Sequence, residues 1–410
     1  MTPSGAAGSF GHGASGASRE LVLLMAGLMS MNALAIDIML PALGAIGRDL
    51  GLTDPNLGQW VVIGFAMGMG FGQLVFGPLS DRYGRKPVLL GSLAAYAVLG
   101  AACIFAPDFR WLIAFRFAQG TMSAGARVIA VAVVRDLFEG AAMARTMSLV
   151  MMTFMIVPII APALGQGVLL FGSWRLIFWF LVAFAIFMIA WSQSRLQETL
   201  RPEHRRPISP RSLFEGYAEL LTNRVARGYM LALGLVFGCL MAFLGMSEQL
   251  LEAFGRADQF ALYFAGIAGT MAVANFANAR LVQTHGPRRV GHCALLAFIA
   301  FQLGHLLTLA AGVSGFVPLY GVLVASFFCL GFMGANFNAV ALEPMGHIAG
   351  LASAGLGFAS TSLAAFFGGF IGQHFDGTAW PFALGFFGLG AAALVVVAHA
   401  ERGRLDVPYV

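Results

Sequence analysis

The sequence predicts an all-α membrane protein with twelve transmembrane helices in two pseudo-symmetric halves of six. Three observations carry that reading. Hydrophobic residues make up 59% of the 410-residue chain and charged residues only 10%, with a mean hydropathy of +0.81. A soluble domain carries about 25% charged residues, so this chain has too few to cover a water-facing surface. Apolar windows long enough to cross a bilayer recur along its length. A basic loop in the first half returns, degraded, in the second.

The apolar windows fall at about 21–43, 57–78, 88–106, 110–135, 145–170, 174–193, 227–250, 258–282, 291–311, 315–341, 348–374 and 379–399. Met1–Ser18 is Gly/Ser/Ala-rich and reads as a disordered tail. The window after it is too long for the apolar region of a signal peptide, so it is the first membrane helix. The largest break, Ser194–Arg227, holds seven arginines, four glutamates and three prolines. It divides the chain into a tail (1–18), a first half (19–193), a basic linker (194–226), a second half (227–400) and a final tail (401–410).

Orientation follows from the basic residues. With the N-terminus inside, inner loops and tails collect eighteen of them and outer loops only Arg48, Arg110, Arg175 and Arg256. The positive-inside rule then places both termini, and the linker, in the cytosol. The same bias accounts for the net charge of +5 without a nucleic-acid partner. The four cysteines, Cys103, Cys239, Cys293 and Cys329, lie in or at the start of apolar windows with no metal-ligand pairing. They read as buried thiols outside any disulfide framework, and no metal or cofactor is expected.

The densest charge cluster outside the linker is Gly77-Pro-Leu-Ser-Asp81-Arg82-Tyr-Gly84-Arg85-Lys86-Pro87, which contains the chain's only lysine. Four charges within six positions between two apolar spans form a tight turn at a membrane face. The glycines permit positive φ and Pro87 suits a helix start. At a constant offset of 202 residues, Leu281-Val-Gln-Thr-His-Gly286-Pro-Arg288-Arg289 repeats the Leu, the Gly and the base after it, while Asp81 and Arg82 become Gln283 and Thr284. Two halves of parallel topology account for this; a chance Gly/Arg loop is the alternative.

Ionisable residues inside membrane spans are costly and are functional candidates. Asp37 and Arg116 each lie about six residues from the outer end of their spans, hence about 9 Å deep at 1.5 Å per residue. Arg127, eleven residues after Arg116, shares one face of span four with Arg116, Gly120 and Ser123. These charges could form structural pairs or bond backbone carbonyls. Alternatively, Asp37 is a carboxyl for which substrate and proton compete. Burial penalises its charged form and a nearby arginine favours it, so access to water decides its protonation. In span five, Pro158 and Pro162 remove two backbone bonds on one face, while Gly165 and Gly167 permit close helix contact. An ordinary kink is the plain reading.

The loop Gly77–Lys86 resembles motif A of the major facilitator superfamily, G-x-x-x-D-R-x-G-R-K, and is complete. Arg116-Phe-Ala-Gln119-Gly120, Val-Val-Arg135-Asp136 and Ala-Ile-Asp37-x-x-Leu-Pro41 extend the resemblance to the Bcr/CflA branch of twelve-span drug:proton antiporters. Pro158–Gly167 resembles part of motif C, the antiporter motif, with Ala161 in place of the first glycine and Gln166 splitting the second pair. Glu343-Pro-Met-Gly-His347-Ile-Ala-Gly350 also resembles this branch, with Glu343 and His347 as solvated loop charges or gating residues. The resemblance implies Arg116 as an arginine of proton coupling, Asp37 as a proton or substrate carboxylate, and Asp81 as a latch residue. In the closed-inside or closed-outside state, Asp81 would meet the positive end of a neighbouring helix or the Arg135 region.

Polar groups that could face a cavity are Asn32, Gln73, Gln119, Ser123, Arg127, Glu248, Gln249, Asn275, Asn336 and Asn338, with Met39, Met67 and Phe332 as adaptable apolar contacts; ordinary packing is the plainer reading of each taken singly. The resemblance implies a monomer in a bacterial inner membrane that exports amphenicol-, bicyclomycin- or sulfonamide-type drugs against proton influx. A proton-linked metabolite carrier is the alternative. A membrane enzyme or sensor is disfavoured, since the chain carries no nucleophile elbow, phosphate loop or appended domain.

Overall fold

In the computed structural model the described residues are 18–204 and 210–404. The expected N-terminal tail, part of the linker (205–209) and the end of the final tail lie outside them. The first helix, α1 (Arg19–Asp37), opens with the Ser18 hydroxyl accepting from the Leu21 N–H at 3.2 Å, a side-chain N-cap. It stops at Asp37, short of the expected end of its span. Pro41 has no N–H to give the Asp37 carbonyl. A 3-10 turn, Leu40–Ala42, leads instead into the short α2 (Leu43–Asp49).

The first half continues through α3 (Trp60–Tyr83), α4 (Arg85–Ile104), α5 (Phe109–Leu137), α6 (Gly140–Phe154), α7 (Ile156–Leu169) and α8 (Arg175–Arg195). Span five is two helices because Pro158 and Pro162 withhold donors from the Phe154 and Pro158 carbonyls, and the axis breaks at Met155. The linker is only partly a linker: α8 runs on to Arg195, and a further helix, α9 (Pro210–Thr222), lies within it. Its Gly216 and Tyr217 pack on Leu351 and Gly355 of the second half.

The second half comprises α10 (Arg224–Ala253), α11 (Phe260–Ala310), α12 (Phe316–Leu342), α13 (Ala349–Gln373) and α14 (Trp380–Ala400). Ten apolar runs are long enough to cross a membrane, and two of them, of 54 and 58 residues, are double length. One breaks at Gly286 (φ 74°) and the other at the 3-10 turn Glu343–Ile348. Divided at those breaks, the ten runs become the twelve expected windows. The fold is all-helical among the described residues.

Small residues set the helix spacing. Gly68 and Gly72 face the Phe117 and Thr121 carbonyls of α5 so closely that an added Cβ would lie 1.9 and 2.2 Å from those oxygens, and Gly120 meets the Phe65 carbonyl in the same way at 2.0 Å. This is the small-x-x-x-small packing of membrane helices. One expectation needs correction. Cys103, Cys239 and Cys329 are buried, but Cys293 is exposed, because it sits on an outward face of α11. Gly68→Val is expected to destabilise the protein by about 3 kcal/mol, since the obstruction is backbone and cannot rotate away. Gly91→Ala, with nothing within 4 Å of its Cβ, should cost nothing. Thermal melts of the two variants in detergent check the contrast.

Candidate functional site

The motif A loop lies at one face, here termed the basic face, at the mouth of a cavity of about 670 Å³. Gln73, Gly77, Asp81, Arg85, Arg135 and His347 line it. Arg85 organises this face. Gly84, at φ 100°, turns the chain between α3 and α4, and Arg85 folds back to reach the Asp81 carboxylate at 2.5 Å, Asp136 at 2.9 Å and the Ser80 hydroxyl at 2.8 Å. With this face open, Asp81 pairs with Arg85 within the loop itself. A carboxylate in the last turn of α3 opposes that helix's dipole, and the guanidinium offsets it. Glu198 completes the arrangement by accepting from the Arg85 and Lys86 N–H groups at 2.8 and 3.2 Å, at the start of α4. Lys86 Nζ donates to the Gln193 carbonyl, and Arg82 lies over the Tyr83 ring.

The opposite face is closed by bonds between the halves. Gln59 Nε2 donates to Gln249 Oε1 at 2.8 Å and to the Gly372 carbonyl at 3.0 Å. Asn56 Nδ2 donates to the Phe375 carbonyl, and Gln373 Nε2 returns a bond to the Asn56 carbonyl. Glu248 accepts from the Gly44 N–H at 2.8 Å. Deeper, Gln73 Nε2 reaches Thr361 Oγ1 at 3.4 Å above the cavity. The molecule is thus sealed at one face and open at the other.

Within the first half lie the two buried intramembrane charges, Arg116 and Asp37. Arg116 is fully buried. Its Nε donates to the Val61 carbonyl at 3.1 Å, one terminal nitrogen to the Ala35 carbonyl at 3.0 Å and the other to Gln119 Oε1 at 2.9 Å. The Phe65 ring lies 4.3 Å from the guanidinium carbon. Ala35 is in the last turn of α1, where carbonyls lack helical partners, so Arg116 caps that helix from α5. Asp37, two residues on, is 5% exposed and has no hydrogen-bond or ion-pair partner among the described residues. Gly165 of α7 packs on the same break, where an added Cβ would lie 2.2 Å from the Ile38 carbonyl.

The model of the Major Facilitator Superfamily matches residues 25–360. The chain belongs to that superfamily. It is 30% identical over 387 residues to a bicyclomycin resistance protein homolog of Haemophilus influenzae, covering 93% of this chain and 95% of that one. It is 29% identical over 347 residues to the multidrug resistance protein MdtL of Escherichia coli, covering 83% and 85%. Among solved structures, the D-xylose-proton symporter superposes with a TM-score of 0.71 at 14% identity, over 92% and 96% of the two chains. The human organic anion transporter MFSD10 does so with a TM-score of 0.69 at 19% identity, over 93% and 99%. Major Facilitator Superfamily proteins are transporters, so this chain is a multi-pass membrane transporter and not an enzyme.

In this superfamily member the other candidates scatter. Arg127 is exposed, one turn before Val131 and two before Arg135, both of which line the cavity; it has no bonded partner among the described residues. Asn32, Met39, Gln119 and Ser123 are buried inside the first half, and both amide atoms of Asn32 lack a partner. Asn275 bonds its own helix at the Met271 carbonyl, Asn336 pairs with Asn278 at 2.8 Å, and Asn338 is exposed. Glu248 and Gln249 belong to the sealed face. Met67 is partly exposed, and Phe332 is buried.

Sequence reasoning missed the counterpart of the Arg85 centre. Arg288, in the degraded repeat, reaches Glu343 at 2.7 Å and Glu401 at 2.9 Å. Glu401 also accepts from the Tyr229 hydroxyl at 2.8 Å, which lies 2.6 Å from His292 Nε2. His347 meets Glu219 of α9 at 2.8 Å. In the sequence, the retained Arg288 and Glu343 pointed to this cluster, while Glu401, Tyr229 and His292 carried no signal. Arg116→Leu should lower stability by about 2 kcal/mol or more, because the α1 end loses a charged donor in a dry site. Asp37→Asn, which breaks no bond, should melt close to wild type. Melting curves of both variants decide whether Arg116 is the structural tie and Asp37 is not.

Proposed function

We propose that the protein exports small amphipathic drugs across the bacterial inner membrane in exchange for protons, by alternating access. The basic face is then cytosolic, and the cavity there is the inner vestibule of a monomer open to the cytosol. The observation that carries the reading is Asp37: a membrane-buried carboxyl with no partner, two residues beyond the Ala35 carbonyl that Arg116 caps, while Arg116 itself bonds carbonyls and Gln119. A carboxylate locked in an ion pair holds its charge, whereas an unpaired one can exchange a proton when water reaches it. The named activities of the bicyclomycin and multidrug resistance relatives support export of drugs. The two-proline break with Gly165 against Ile38 supports an antiporter, since it joins the motif C segment to the proton site.

The latch role of Asp81 and Arg85 follows from their place at the cavity mouth. Opening and closing this face must re-form the Arg85 bonds, so Asp81→Asn is expected to slow transport while leaving substrate affinity within about twofold. Cells expressing the protein should tolerate amphenicols or bicyclomycin better than control cells. Asp37→Asn, at matched expression, should return them to the control level and abolish drug-induced proton release from the detergent-purified protein. Unchanged resistance in that variant would overturn the proton role of Asp37. Drug-independent uptake of a labelled metabolite into proteoliposomes under a proton gradient would favour the metabolite carrier instead.

A further inference from the structure

On the side of the second half, the part of α11 after Gly286 and the middle of α12 enclose a groove of about 420 Å³. Cys293, Ala297, Phe301 and Phe328 form its walls, and His285 and Arg289 stand at its basic-face end. Phe301 and Phe328 are 45% and 40% exposed. These are outward faces of apolar membrane helices, so acyl chains surround them.

The charge at one end distinguishes this groove. A comparable lateral groove of about 340 Å³ between α1, α7 and α8 has no charged residue in its lining. Arg288 and Arg289 lie in the first turn after the Gly286 break, where a helix dipole disfavours cations. Arg288 is neutralised by Glu343 and Glu401. Arg289 is exposed and has no hydrogen bond or ion pair among the described residues. His285 uses only Nδ1, against Thr284 and the Leu281 carbonyl. From Arg289 to Phe301 is twelve residues, about 18 Å along the helix. One leaflet of hydrocarbon is about 15 Å deep.

We propose that this groove is a site for one anionic phospholipid of the basic-face leaflet. The phosphate bonds Arg289 and His285 Nε2, and one acyl chain lies along Cys293, Ala297 and Phe301. The unpaired cation, the apolar wall below it and the one-leaflet length together select a lipid with net negative charge.

Cys293 supplies the test, because it is the exposed cysteine and lines the groove. Delipidated full-length protein in detergent is alkylated with a maleimide while phosphatidylglycerol or phosphatidylcholine is added, and native mass spectrometry counts retained lipids. Phosphatidylglycerol is expected to slow Cys293 labelling about fivefold more than phosphatidylcholine, with one molecule retained per chain. Arg289→Ala should remove the difference, and Arg289→Lys should keep most of it. Equal protection by both lipids, protection by neither, or full protection in Arg289→Ala overturns the proposal. So does protection by an amphenicol in the absence of lipid protection, which would make the groove a drug site.

Discussion

One buried guanidinium sets the geometry on which the first half depends. Arg116 reaches from α5 to the Ala35 carbonyl at the end of α1 and to the Val61 carbonyl at the start of α3. Its burial would be prohibitive without those acceptors. With them, it fixes where three helices meet and satisfies the Ala35 carbonyl, whose helical donor, the Met39 N–H, turns to Ile36 where α1 ends. The consequence for chemistry is indirect. Arg116 directs its observed bonds to two backbone carbonyls and Gln119, so the carboxyl of Asp37, two residues beyond the capped Ala35, is left without an ion-pair partner.

The two faces are built on different physics. At the sealed face the halves meet through amides and backbone: Gln59 with Gln249 and Gly372, Asn56 with Gln373 and Phe375, Glu248 with Gly44. Only one of these bonds involves a charged group, so breaking the set requires no separation of ion pairs. At the basic face each half keeps its ion pairs to itself. Arg85 joins Asp81 and Asp136, and Arg288 joins Glu343 and Glu401. The repeat that looks degraded by sequence therefore retains an arginine-centred cluster. Its acids come from a neighbouring turn and the chain end instead of from the loop.

What could be read in the sequence follows from what each feature rests on. Span positions depend on local hydropathy, and the helices form where it predicts. The motif A loop depends on a turn of ten residues and is legible for the same reason. The partners of Arg85 are less so: Asp136 and Glu198 are 51 and 113 residues away, and a pattern of single residues carries no distance information. Asn336 was visible as a polar residue in an apolar span, but its pairing with Asn278 required the packing of α11 on α12. The exposure of Cys293 was misread because an outward face in a membrane is as apolar as a core. The linker helix α9 was missed because prolines and arginines at its start obscured the apolar residues, such as Leu213, Tyr217 and Leu220, that seat it.

The break after Asp37 links this buried carboxyl to the seal. Pro41 ends α1, and the chain needs only the turn Leu40–Ala42 to reach Gly44, whose N–H holds Glu248 of the second half. Gly165 of α7 rests on the Ile38 carbonyl inside the same turn. A continuous helix would carry Asp37 rigidly with the rest of α1, and a change of charge there would be met by side-chain motion alone. A broken one places a carboxyl, an inter-half bond and a glycine contact on one short hinge between Asp37 and Gly44. On the proposed reading, charging Asp37 would change the hydration this hinge requires, and the hinge carries the Gly44 bond to Glu248 at the sealed face. On the proposed reading, proton exchange and gating would share this backbone segment, in which proline and glycine shape the chain next to the carboxyl.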